Sequence, residues 1–369
     1  MTLETEAAFG RFRARFPVLE RYAYLNAGTF GPIARATAEA VAAQQRSETE
    51  NGRAGKPYFE RVLALRDEVR GKIAALIGAD AGRVALTDST TTGCRIVIAG
   101  LGLGPDDEVV TTDAEHFGLI GPLAVSSARV RIAHVHGRPA AESLEAILAE
   151  VGPRTRLLAL SHVAWTTGQV LPVTELKERT RLPLLVDGAQ GAGAIPVDVA
   201  GLGCDFYTVS AQKWLCAPDA TGALYVRDPD SLAVAQPSYF SQASYDLEEG
   251  TWEPKPDAAR FDPGWIPAAS LVGLSAALDD LPEWRFDRAC DAAVRCRALL
   301  AEQGYELVTE PGQATLVSWR PRGDAAETAA RAYEHGVVVR DLPSTGWLRA
   351  SCGYWTSDED LERLVESIA

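Results

Sequence analysis

Apolar positions along the chain repeat with two periods. Over residues 58 to 77, "YFERVLALRDEVRGKIAALI", Phe59, Val62, Leu65, Val69, Ile73 and Leu76 recur at three- and four-residue steps, and Gly78 follows. That spacing predicts an amphipathic helix with a glycine stop. Beyond it, short apolar runs alternate with helical patterns: "RVALTD" before "GCRIVIAGL", "DEVVTTD" before the segment from 117, "RVRIAHV" before "AESLEAILAEV", then "RLLALSH", "LPLLVD", "DFYTVS" and "GALYV". Runs so uniformly apolar predict strands covered on both faces, in a mostly parallel α/β sheet flanked by helices. The 17 residues between "LLVD" and "DFYTV", counting from 188 to 204, suffice for a crossover between parallel neighbours.

From about residue 280 the pattern changes to a long helix, "EWRFDRACDAAVRCRALLAEQG", then "ATLVSW", "AAETAARAYEHG", "VVVR", "WLRAS" and a last helix opened by Ser357 and Asp360 as its capping pair. This tail reads as an α+β unit. The expected division is a large domain at 21–279 and a smaller one at 280–369 together with residues 1–20.

Charge and composition narrow the partners. A formal net charge of −14, from 36 basic and 50 acidic residues, argues against nucleic acid and anionic membranes, yet leaves room for a local cationic pocket that takes a small anion. No apolar run reaches the length of about 18 residues needed to span a bilayer, and the opening "MTLETEAAFGRFRARF" lacks a signal-peptide core. The cysteines at 94, 204, 216, 290, 296 and 352 form neither a CxxC pair nor a metal-ligand spacing. A soluble, cytoplasmic protein with free thiols and no metal is expected.

Polar chemistry collects after four of the apolar runs, where open α/β sheets bind ligands. "DSTTTG" (88–93) sets small hydroxyl residues and a glycine at a helix start, a cradle for phosphate or an ordinary N-cap. "TDAEH" (112–116) brings His116 to a strand end, to lie on a heteroaromatic ring, move a proton, or simply occupy a loop. "LLVDGAQGAG" places Asp187 after a buried-type strand, where it needs a cation, good hydrogen bonds, or the freedom of a turn; Gln190 is three residues on. "SAQKWLCAP" (210–218) carries Lys213, an amine nucleophile if burial keeps it unprotonated and a surface charge otherwise. Jointly the four supply an anion cradle, a stacking ring, a buried acid and an amine, the set that pyridoxal phosphate requires.

These residues resemble the class V branch of the fold-type I pyridoxal-phosphate enzymes. The likeness runs from "YLNAGTFGP" (24–32) to "RASCGYWTSDEDL" (349–361), and "TDSTTTGC", "GPRTRLLALSHVAWTTGQVLPVTEL" and "LVDGAQGAGAIPVD" are most similar to the cysteine/cystine C–S lyase group. The resemblance implies a seven-stranded, mostly parallel sheet in the large domain, and a homodimer with active sites at the subunit interface. It implies that Lys213 carries the cofactor covalently and later abstracts a Cα proton. Asp187 holds the ring N–H, Gln190 the phenolic oxygen, and His116 stacks on the ring. Thr91, Thr92, Gly93 and Ser210 hold the phosphate, and Arg349, with Asn26, takes the substrate carboxylate.

Three positions depart from the pattern. Gln212 stands where relatives carry a phosphate-binding histidine, Thr166 replaces an asparagine before "TG", and Trp265 replaces a threonine that reaches the partner subunit's phosphate. The glutamine still donates a hydrogen bond toward the cofactor, and Thr166 remains among the substrate-side residues. Residues 320 to 347 contain no cysteine to receive a persulfide, so desulfuration by that route is disfavoured and Cys352 reads as a packed thiol. β-Elimination on cystine or another S-substituted L-cysteine, giving pyruvate, ammonia and a thiol or persulfide, is the leading expectation. Transamination, epimerisation or oxidative decarboxylation of a cysteine conjugate is the alternative, with Trp165, Trp252, Trp265, Tyr239 and Phe240 either lining a larger site or packing as core. A binding protein that has lost catalysis is a third class, against which the retained Lys213, Asp187 and Arg349 argue.

Overall fold

The computed structural model describes residues 3–369, with side chains from residue 6. Met1 and Thr2, assigned above with the smaller unit, lie outside the described residues. The apolar runs form seven strands: β1 Val84–Thr87, β2 Glu108–Thr112, β3 Arg129–Ala133, β4 Thr155–Ser161, β5 Leu184–Asp187, β6 Phe206–Ser210 and β7 Gly222–Val226. Their order across one sheet is β1-β7-β6-β5-β4-β2-β3. All run parallel except β7, which is antiparallel to both neighbours. Leu158, Leu160, Leu184, Val186, Tyr207 and Val209 enter one buried cluster, and Leu157, Ala159, Leu185, Phe206 and Leu224 another. The central strands are therefore covered on both faces, as their composition demands.

β3 departs from that expectation. It lies at the sheet edge and buries only Ala133, leaving Val130 and Ile132 36% and 45% exposed. Its two arginines interrupt the apolar run, and they mark an edge protected by charge. The expected helix at 58–77 spans Gly55–Leu76, with Gly78 beyond it at φ +67°. Its buried face holds Val62, Val69 and Ile73, but Arg66 and Arg70 are buried there while Phe59, Leu65 and Leu76 are only partly so. Asp262 explains this, accepting from Arg66 Nη2 at 2.8 Å, Arg70 Nη2 at 2.9 Å and the Leu86 N–H at 2.8 Å. A pattern read only for apolar residues misses an ion network buried on a helix face.

The tail forms a four-stranded antiparallel sheet from β8 Glu306–Leu307, β9 Leu316–Arg320, β10 Arg340–Leu342 and β11 Trp347–Ser351, in the order β8-β9-β11-β10. Helices Arg285–Glu302, Ala325–Glu334 and Asp358–Ile368 share a second core with it, which also takes in Ala23 and Leu25. The last helix opens with both reciprocal bonds of the Ser357–Asp360 capping box. No described helix is long and apolar enough to cross a membrane.

Candidate active site

The carboxyl ends of β1, β2, β4, β5 and β6 lie along one edge of the sheet. Register places Ser161 beside Asp187, Asp187 beside Thr208, and Ser210 beside Gly222. Every cluster singled out in the sequence leaves the sheet at this edge or lies just beyond it.

Lys213 sits in the turn after β6. The aromatic behind it fixes that turn: Trp214 is fully buried and donates its indole N–H to Gln190 Oε1 at 2.9 Å. The opening loop packs directly against the lysine backbone. Gly31 donates its N–H to the Gln212 carbonyl at 2.8 Å, and a Cβ on Gly31 would stand 2.0 Å from the Lys213 carbonyl oxygen, so only glycine fits. Among the described residues no hydrogen bond or ion pair engages the Lys213 amine. Burial lowers its pKa to about 8, Asp187 opposing the shift and Arg349 and Arg340 adding to it.

Asp187 is buried, and its Oδ1 accepts from the Ala189 N–H at 2.9 Å and more weakly from Thr208 Oγ1 at 3.4 Å, leaving Oδ2 without a donor among the described residues. Gln190 is engaged at both ends, since Nε2 also donates to the Gly28 carbonyl at 2.9 Å; one N–H remains. Thr91, Thr92 and Gly93 occupy the first turn of α1 (Thr90–Gly100), capped by Ser89, whose Oγ accepts from the Thr92 N–H at 3.2 Å. Thr91 is exposed, while Gly93 packs on Thr208 of β6. Ser210 Oγ donates to Gln212 Oε1 at 2.9 Å, which leaves the Gln212 amide N–H groups free.

His116 is the N-cap of α2 (Phe117–Ala124). Its Nδ1 accepts from the Gly118 N–H at 3.1 Å, which assigns the proton of the neutral ring to Nε2. The ring meets Trp165 edge-on, centroids 5.3 Å apart. Partial enclosure lowers its pKa; Lys213, Arg340 and Arg349 add to the shift and Asp187 opposes it. The same electrostatic neighbours thus surround His116 and Lys213, although they come from different elements.

Arg349, at the centre of β11, is fully enclosed. Nη1 donates to the Trp165 carbonyl at 2.7 Å, and Nε and Nη2 have no partner among the described residues. Burial, with help from Arg340, lowers its pKa to about 9. A Cβ on Gly28 would lie 2.6 Å from Nη2, so the 26–31 loop closes over the guanidinium. Asn26 anchors that loop through Thr29, whose Oγ1 donates to Asn26 Oδ1 at 2.9 Å. Thr166 is buried with its Oγ1 unpaired, and its carbonyl accepts from Ser318 Oγ at 2.6 Å. Trp265 is half-exposed against Phe240, with ring centroids 5.2 Å apart.

Two residues at this site were not singled out in the sequence. Arg340 is the register partner of Arg349 on β10 and donates to Thr29 Oγ1 at 2.7 Å; among the described residues no carboxylate pairs with either arginine. In sequence it looks like any charge closing an apolar run, and only the strand pairing reveals it. Glu115, part of the quoted "TDAEH", is a partly buried carboxyl whose role depends on Ser161, 46 residues away. No described cluster of His, Cys, Asp and Glu suits a metal. The arrangement offers an amine nucleophile, an acceptor for a ring N–H, a helix N-terminus for an anion and two unneutralised guanidinium groups.

Residues 24–317 match the family described as aminotransferase class-V. Isopenicillin N epimerase of Streptomyces clavuligerus is 30% identical, the match covering 93% of each chain. The cysteine desulfurase of Haloferax volcanii is 27% identical over 96% of this chain and 95% of its own. Among solved structures, the cystine C–S lyase C-DES in complex with its reaction product cysteine persulfide superposes with a TM-score of 0.88 at 27% identity, covering 96% of this chain and 99% of that one. Geometry, sequence and superposition agree: the chain belongs to the aminotransferase class-V family and is a fold-type I, pyridoxal-phosphate-dependent enzyme.

Proposed function

We propose that the protein is a C–S lyase that eliminates the sulfur substituent of cystine or a related S-substituted L-cysteine. The observation that carries this reading is the pair Arg340 and Arg349, two adjacent guanidinium groups beside Lys213 with no carboxylate between them among the described residues. Two such cations suit a substrate with two carboxylates, as cystine has, since each takes an oxygen pair in a planar fork. The unpaired Nε and Nη2 of Arg349 are buried donors that a carboxylate satisfies. For this the 26–31 loop that encloses Arg349 must yield.

The side chains fit the cofactor. Lys213 would carry it through a largely enclosed amine, and Asp187 would accept from its ring N–H. Thr91, Thr92 and Gly93 at the start of α1 would hold its phosphate together with Ser210 and the amide of Gln212. Gln190 has one N–H left that would reach the ring oxygen, and His116 would stack on the ring. Bound there, pyridoxal phosphate supplies an electron sink next to Cα. The two arginines hold the substrate carboxylates and orient the Cα–H bond toward Lys213. Once the substrate amine has displaced it from the cofactor, the lysine amine would take the Cα proton, the Cβ–S bond would break and water would enter: cystine and water give pyruvate, ammonia and cysteine persulfide. Buried Cys352, its thiol held well above its ordinary pKa, is a poor acceptor for a transferred sulfur. A second copy of the chain, covering the exposed rings of Tyr239, Trp252 and Trp265, completes the proposed assembly as a homodimer.

The test is to incubate holoenzyme with L-cystine and with S-methyl-L-cysteine and measure pyruvate, ammonia and thiol or persulfide. The reading requires equal yields of all three from cystine, abolished in Lys213→Ala. Consumption of cystine without pyruvate favours the epimerising, transaminating or decarboxylating alternative that the isopenicillin N epimerase likeness keeps in view.

A further inference from the structure

Glu115 is a partly buried, hydrogen-bonded carboxyl that the chemistry above does not use. Its Oε1 accepts from Thr112 Oγ1 at 2.6 Å, and its Oε2 accepts from the Ser161 N–H at 2.9 Å and from Ser161 Oγ at 2.5 Å. Thr112 ends β2 and Ser161 ends β4, so one carboxyl bridges two neighbouring strands at the edge that carries the site. Ser161 is in turn the register partner of Asp187. No basic group pairs with Glu115 among the described residues. Burial pushes its pKa up to about 7, the Ser161 and Thr112 bonds opposing the shift and the Asp187 charge adding to it. A carboxyl in such a place is unfavourable unless its bonds hold something that matters.

What they hold is the turn of residues 113–116. Only residues 113–115 separate β2 from His116, whose Nδ1 caps α2 and whose ring stands against Trp165. We propose that Glu115 is a positioning residue: by fastening this turn to the end of β4, it places the His116 ring over the pyridoxal-phosphate site. The proposal rests on the cofactor site described above and deepens it.

The fastening survives a change of protonation. As a carboxylate Glu115 accepts all three bonds; as the acid it keeps the Ser161 acceptor and turns its proton toward the Thr112 hydroxyl. A glutamine offers the same acceptor and donor in the same places. Equilibrium binding of pyridoxal phosphate to the apoprotein therefore separates positioning from mere bulk. The variants are Glu115→Ala, Glu115→Gln, His116→Ala and the double variant Glu115→Ala with His116→Ala, each checked for folding by its thermal melt.

The expected result is that Glu115→Ala weakens cofactor binding about tenfold, as for loss of a well-made set of hydrogen bonds. Glu115→Gln stays within about threefold of wild type. The double variant binds no more weakly than His116→Ala alone, because residues acting through one another are not additive. Multiplying effects of the two alanines, a glutamine as damaging as alanine, or wild-type binding by Glu115→Ala would each overturn the proposal. If Glu115→Ala does not fold, Ser161→Ala, which removes one of the three bonds, takes its place in the same cycle with the same criteria. Substrate plays no part in this measurement, so its outcome does not depend on whether cystine proves to be cleaved.

Discussion

Replacing Lys213 with methionine removes catalysis and should make the apoprotein more stable at neutral pH. The native environment lowers the lysine pKa from 10.5 to about 8, burial being the main cause. The unfolded chain then binds more protons than the folded one between about pH 8 and pH 10.5. Stability carried by this group rises with pH across that window, and below it the folded state bears the full penalty of an enclosed ammonium. A shift of 2.5 units, from 10.5 down to about 8, corresponds to about 3 kcal/mol at pH 7, falling to about 1.4 kcal/mol at pH 9.5. Methionine has nearly the same length and no charge, so the packing term is small beside this. Urea unfolding of apo wild type and apo Lys213→Met at pH 7 and pH 9.5 provides the assay. The variant should be more stable at pH 7, by up to about 3 kcal/mol, with roughly half that advantage at pH 9.5. Equal stability at pH 7, or an advantage that does not change with pH, would refute the picture of an enclosed, unpaired amine.

Other consequences follow from the same geometry. Arg340→Met should lower kcat/KM for cystine by about 10- to 100-fold, as for loss of one charge-assisted contact, while S-methyl-L-cysteine, with one carboxylate, changes by only about threefold; steady-state kinetics on both substrates decides this. Covalent capture of pyridoxal phosphate by the apoprotein, followed by absorbance, should speed up with pH as the amine loses its proton and level off above about pH 8. Asp262→Ala strands Arg66 and Arg70 with their charges buried, and should destabilise the protein by about 3–5 kcal/mol in chemical denaturation.

The large sheet was legible because its strands are buried on both faces, which leaves little freedom in composition: "LLALS", "LLVD" and "FYTVS" admit few other readings. The direction of β7 was not legible, since an antiparallel strand buried among parallel ones carries the same apolar residues. Lys213, Asp187 and His116 stood out because a polar residue directly beyond a buried strand demands a reason. Arg349 was named through the family resemblance, but its enclosure was hidden. Closure depends on Gly28, more than 300 positions earlier, and on the absence of any side chain there. Arg340 and Glu115 were passed over for a related cause. Each gains its meaning from a partner on another strand, Arg349 for the first and Ser161 for the second, and strand register is not written in local periodicity. Arg66 and Arg70 show the same limit in the core, where a carboxylate almost two hundred residues away makes two guanidinium groups as buried as leucines.

The central claim is that Lys213 moves the Cα proton and that the Cβ–S bond then breaks. Turnover of L-cystine by the holoenzyme in deuterium oxide, with products read by mass spectrometry and chiral chromatography, tests both parts at once. The account predicts pyruvate labelled at its methyl carbon together with cysteine persulfide, neither of them formed by Lys213→Ala. Recovery of cystine with deuterium at Cα and inverted configuration, without pyruvate, would contradict it and identify an epimerising enzyme instead.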